Sequence, residues 1–175
     1  MDVLKGLSLD YAVGQSNMGG TRGKLYYVPA THVKTWPEFE VDGVTLKTAP
    51  VLLTGKQWFE VYFTKDTGSV NNKKVGELDA GSWETTAKFF HPKVRSELVQ
   101  LVNVFTNGPF ILVMKDGNGI QRVVGSPELG AYLTEGDVDG GMAAKDRNGA
   151  SFTFVASSPT PAPICEFPIS LTVAV

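Results

Sequence analysis

The sequence predicts a mainly β fold: a β-sandwich or barrel with one flanking amphipathic α-helix, a flexible N-terminal arm and one long loop. Three observations carry this. Short stretches of branched and aromatic residues alternate with polar ones at the two-residue period of a strand. Gly, Asn, Asp and Pro separate those stretches at turn-forming spacings. One segment, residues 92–106, instead repeats its apolar positions at helical spacing. The chain has 175 residues, a single-domain length that can bury a real core. Its 42% hydrophobic and 19% charged content excludes disorder throughout.

Residues 1–23 read as the arm. Gly14, Gly19, Gly20 and Gly23, with Gln15, Ser16 and Asn17, make it loop-like, and ordering such an arm requires a partner surface. Residues 25–28 are the first strand, rich in aromatic and branched side chains and ended by Pro29. Val44, Thr45 and Leu46 follow an Asp42-Gly43 turn. In residues 57–64, Phe59, Val61 and Phe63 share one face, and Trp58 and Tyr62 share the other. Large apolar groups on both faces call for cover on both, and in a small chain the second cover is another subunit. Residues 65–81 are polar and rich in Gly, Asn and Lys. They read as a long loop, a feature that is usually functional or mobile. Residues 83–90 alternate again.

The predicted helix opens at Pro92, which suits a first helical position. Val94, Leu98, Leu101, Val102 and Phe105 line one face, and Asn107-Gly108-Pro109 stops it. Residues 110–114 form a continuous apolar run suited to a buried strand. Asp116-Gly117-Asn118-Gly119 turns it back into residues 120–124 as a hairpin. Residues 125–149 read as further turns, and 151–155 as a strand. Residues 158–163 are stiff and Pro-rich. Ile169, Leu171, Val173 and Val175 fall on one face of a final strand that is paired and covered.

Chemistry-bearing motifs are sparse. His32 and His91 lack neighbouring ligand patterns. Residues 19–25 fail as a phosphate loop: Met18 stands where the first glycine belongs, Leu25 where a hydroxyl belongs, and a strand follows where a helix is needed. Asp137-Val138-Asp139-Gly140 has Asn148 where a calcium loop wants an acid, so it reads as a turn with solvated charge. Cys165, the only cysteine, reads as a small, partly buried hydrophobe. We expect no catalytic residue, metal or cofactor. Net charge is −2, and Lys73-Lys74 is a pair rather than a patch, which argues against tight binding of a phosphate backbone. The N-terminus carries no secretion pattern, and the longest apolar run is far shorter than the roughly 18–20 residues a bilayer requires. Synthesis in a cytoplasm, with no membrane partner, is expected.

The layout of arm, strands, long polar loop, single helix, Gly-turned hairpin and terminal strand resembles the tail-tube proteins of long-tailed bacteriophages and the related tube proteins of contractile injection systems. Residues 110–126, an apolar strand, an Asp-x-x-Gly turn and Arg122-Val123-Val124-Gly125, look like a segment of structural proteins from phages of Bacteroidota-type hosts. Residues 146–154 and Pro161-Ala162-Pro163 look like the same group. The resemblance spans roughly residues 20–165. It implies a virion protein made in the host cytoplasm and placed in the tail. Six copies would join sheets edge to edge into a homohexameric ring walled by a continuous barrel. Rings would stack through loops and the arm into a tube that passes DNA without binding it specifically, beside sheath, terminator or baseplate proteins. From the two-faced strand and the long loop, the expected subunit interface is Trp58, Tyr62, Asn71, Asn72, Lys73 and Lys74. Competing readings are a head-decoration protein, a tail terminator, a monomeric carbohydrate-binding sandwich using Trp36, Trp58 and Trp83, and an enzyme with a scattered site.

Overall fold

The computed structural model describes residues 16–143 and 145–174. Its elements, in chain order, are β1 (Thr21–Pro29), β2 (Val33–Thr35), β3 (Thr45–Leu46), β4 (Val51–Leu52), β5 (Phe59–Tyr62), β6 (Ser69–Val75) and β7 (Ser82–Pro92). Then come α1 (Ser96–Thr106), β8 (Phe110–Asp116), β9 (Gln121–Val124), β10 (Tyr132–Asp139), β11 (Gly149–Ser158) and β12 (Ile164–Cys165). The fold is mainly β, with one α-helix among the described residues. A six-stranded sheet runs β3-β12-β9-β8-β1-β5, a four-stranded sheet runs β10-β11-β7-β6, and β2 pairs with β4.

Strand β8 shows why the layers form. Residues 110–114 are all buried, and their alternation splits them between two cores. Phe110, Leu112 and Met114 enter the space between the two large sheets, with Leu25, Phe63, Phe89, Phe152 and Phe154. Ile111 and Val113 enter a second cluster with Val28, Leu46, Trp58, Val123, Cys165 and Phe167. A strand covered on both faces has no polar side to show, hence the unbroken apolar run. Phe105 brings α1 into the first core. Its ring meets Phe110, Phe152 and Phe154 edge-on at centroid distances of 5.1, 5.5 and 5.1 Å. These are the T-shaped arrangements that aromatic quadrupoles favour.

The 110–124 hairpin forms as expected, with Met114 opposite Arg122 and Ile120 N–H donating to Asp116 Oδ1 at 2.9 Å. Gly119 takes φ +93°, a conformation that explains glycine there.

Several expectations are corrected. Pro92 ends β7 and pairs with Gly149, and the helix begins at Ser96. A strand terminus tolerates a residue without an N–H as readily as a first helical turn does. Lys93 then reverses the chain at φ +68°, with its N–H donating to Asn148 O at 2.6 Å. Residues 65–81 are not one long loop, because 69–75 form β6, paired along its length with β7. Residues 125–149, read only for their turns, also hold a strand, since 132–139 form β10. Residues 169–174 are not a strand. They are tied through Gly55 N–H to Ala174 O (2.9 Å) and Ala174 N–H to Lys56 O (2.8 Å), with Leu171 and Val173 exposed. Of the predicted arm, residues 1–15 lie outside the described residues, as does Val175. Residues 21–23 belong to β1, and Met18 N–H donates to Asn118 Oδ1 at 2.7 Å.

Candidate assembly surface

Cys165 is buried, and burial pushes its thiol up to about 11, so it holds its proton. His91 Nδ1 lies 2.7 Å from Tyr62 O, tying β7 to the end of β5. His32 has a buried Nδ1 without a partner. Burial first, then the charge of Lys56, hold its pKa below the usual histidine value. Among the described residues no three His, Cys, Asp or Glu side chains group as a metal site, and no helix is long and apolar enough to cross a membrane. A cavity of about 340 Å³ is lined mainly by apolar groups, among them Trp36, Phe39, Val123, Leu129 and Pro159, and Glu128 is its one charged lining residue.

The four-stranded sheet is more distinctive. On its inner face Ala87, Phe89, Phe152 and Phe154 are buried. On its outer face the register sets Ser69, Lys88, Thr153 and Glu135 in one row, and Asn71, Thr86, Val155 and Tyr132 in the next. This face is therefore mostly hydroxyls, amides and charges, with Phe90, Val155 and Tyr132 among them, and at one end Arg147 sits over the Phe90 ring at 5.6 Å. Both edge strands of the sheet are rich in polar and charged residues. In β6, Asn71, Lys73 and Lys74 are exposed. In β10, every residue except Leu133 is exposed. Beyond β7 and β11, no backbone hydrogen bond among the described residues engages the outer edge of either strand.

The edges carry opposite charge. β6 holds Lys73 and Lys74 and no acid, whereas β10 holds Glu135, Asp137 and Asp139 and no base. The salt bridges among the described residues are Lys24–Glu60, Lys47–Glu40 and Arg95–Glu97, so none of these five charges is paired.

The residues expected at a subunit interface are distributed differently from the expectation. Trp58 is 4% exposed and packs within the second core of its own chain, so the cover sought from a neighbour is supplied internally. Tyr62 is 53% exposed, at the end of β5, an edge of the six-stranded sheet. Asn71, Lys73 and Lys74 lie together on the β6 edge. Asn72 turns inward, where its Oδ1 accepts from Thr85 Oγ1 at 2.8 Å and from Ala162 N–H at 3.0 Å. Glu135 and the Asp137/Asp139 pair were not singled out as an edge. Their spacing of two, one face of a strand, was the available signal. Comparison with protein-family models, curated proteins and solved structures finds no match to this chain.

Proposed function

We propose that the chain is a structural subunit that assembles with copies of itself into stacked rings, forming a hollow tube such as a phage tail tube. The observation that supports this reading is the four-stranded sheet with a polar outer face and two long unblocked edges. An unpaired edge is a template for another strand, and proteins that remain monomeric usually blunt it with charged side chains, Pro, a bulge or a covering segment; here the charges differ in sign between the two edges, so they repel a like edge and attract the unlike one. Here β6 contains neither proline nor register shift, and β10 has one shift, between Leu133 and Glu135. Joining copies edge to edge satisfies both edges, and a rotation that closes removes them altogether. The polar outer face then becomes a wetted wall of hydroxyls and amides with scattered charges of both signs, among them Lys73, Lys88, Glu84, Glu135 and Asp137, with no cationic cluster to clamp the phosphates of a passing DNA. In this reading the protein performs no chemistry, its main partner is itself, and its place is the virion tail.

Negative-stain microscopy with sizing chromatography over a concentration series tests the reading. Rings or hollow tubes are expected. A species that remains monomeric at every concentration, including with preformed tail tips as templates, overturns it.

A further inference from the structure

We infer that the two edges are mates: β6 of one copy pairs antiparallel with β10 of the next, basic edge against acidic edge. The inference rests on the self-assembly reading above and adds to it the identity of the joined strands and the charges that select them.

Strand parity is the first support. All three pairings inside the four-stranded sheet are antiparallel, so β10 and β7 run one way, and β11 and β6 the other. With an even number of strands, a copy related by rotation about an axis along the sheet presents its β10 antiparallel to β6. The hydrogen-bonding pattern therefore continues across the junction without a change of type. Pairing β6 with β6, or β10 with β10, would instead demand a two-fold axis, and would give a closed dimer rather than a ring.

Charge is the second. Like pairing sets Lys73 and Lys74 against themselves, or Glu135, Asp137 and Asp139 against themselves, and directly opposed like charges destabilise a ladder. Unlike pairing sets Lys73 against the acids, while Lys74, whose alternation puts it on the side of Asn72, adds to the positive charge of the edge without facing an acid. Register follows from side-chain alternation. Asn71 and Lys73 share the outer face with Glu135, Asp137 and Asp139, through Thr86, Glu84, Thr153, Ser151 and Gly149 on the intervening strands. Keeping the polar face continuous means that outward residues oppose outward residues, because a slip by one residue would turn the inner face out. Lys73 then stands opposite Glu135 or Asp137 of the neighbour.

The test uses two full-length variants, Lys73→Glu/Lys74→Glu, with both edges acidic, and Glu135→Lys/Asp137→Lys, with both edges basic. All four positions are exposed, and far-UV circular dichroism with thermal melting identifies folded protein. Each variant alone should need at least about a tenfold higher concentration than wild type to reach half-assembly. The two mixed in equal amounts should co-assemble, and a chain carrying all four reversals should assemble alone. Single-edge variants that assemble like wild type overturn the pairing while leaving self-assembly standing. So do folded variants whose mixture and whose combined chain both stay dispersed. A wild-type protein that never assembles removes the self-assembly reading, and the pairing with it.

Discussion

Asn72 illustrates how much one side chain decides in this fold. It sits in an edge strand, yet its amide oxygen serves a Thr85 hydroxyl that is 2% exposed and the Ala162 N–H in the Pro-rich segment. Asn72→Ala leaves both donors without an acceptor, and should cost about 1–3 kcal/mol in a denaturant titration. His32 supplies a pH dependence. Its folded pKa is lowered, so the unfolded chain binds the proton more readily. The stability it confers is complete above its ordinary value of about 6.5, and is lost as pH falls through the lower folded value. Melting temperatures recorded from pH 7.5 downward should show this decline, and His32→Gln should flatten it. Cys165 should resist a thiol reagent in the native state at pH 8 and react on unfolding, since burial both shields it and keeps it protonated. At this scale the sequence was legible for Cys165 and opaque for Trp58. A buried aromatic looks the same in sequence whether its cover comes from its own chain or from another.

The elements that could be read in advance carry two agreeing signals. The 110–124 hairpin combines an apolar run with a Gly-rich turn, and α1 combines helical spacing with a stop at Asn107-Gly108-Pro109. β6 and β10 were invisible for a shared physical reason. Edge strands packed on one side need few apolar groups, so Asn71-Asn72-Lys73-Lys74 and Thr134-Glu135-Gly136-Asp137 read as loop while their neighbours supply the ladder. Pro92 was misread because a missing N–H is equally harmless at a strand end and a helix start. Two substitutions probe the elements. A Cβ on Gly149 would lie 2.2 Å from His91 O, so Gly149→Ala must push β11 from β7. The melting temperature should fall by about 2–4 °C per kcal/mol lost in a chain of this size. Phe105→Ala removes the ring that joins α1 to Phe110, Phe152 and Phe154, and should cost about 3–5 kcal/mol by chemical denaturation.

For the molecule as a whole, the fold class was legible because it depends on period and punctuation alone. The candidate surface was legible only in part: Asn71, Lys73 and Lys74 were expected there, but the acidic strand that complements them was not. Complementarity belongs to two edges about 60 residues apart in sequence, brought into one sheet by β7 and β11, and no local pattern records that. Charge pairing between edges also predicts salt sensitivity. Raising ionic strength from 0.05 M to 1 M shortens the screening length to about 3 Å, and should raise the concentration needed for assembly, as light scattering would show. Assembly indifferent to salt would assign the junction to backbone hydrogen bonds and apolar contact alone.

The two cores on either side of the six-stranded sheet imply a hierarchy of opening. The cluster around Trp58, Cys165 and Phe167 lies against the short β12 and β3 at the edge of the six-stranded sheet and is covered by the short pair β2 with β4 and by a C-terminal run held through two backbone hydrogen bonds to residues 55–56. The sandwich beneath is held by long ladders and a continuous aromatic core. Such a lid can lift as its own cooperative unit. In deuterium exchange, amides of residues 33–56 and 164–174 should trade their protons at least an order of magnitude sooner than those of β7, β8 and β11, with the latter exchanging only when the whole molecule unfolds.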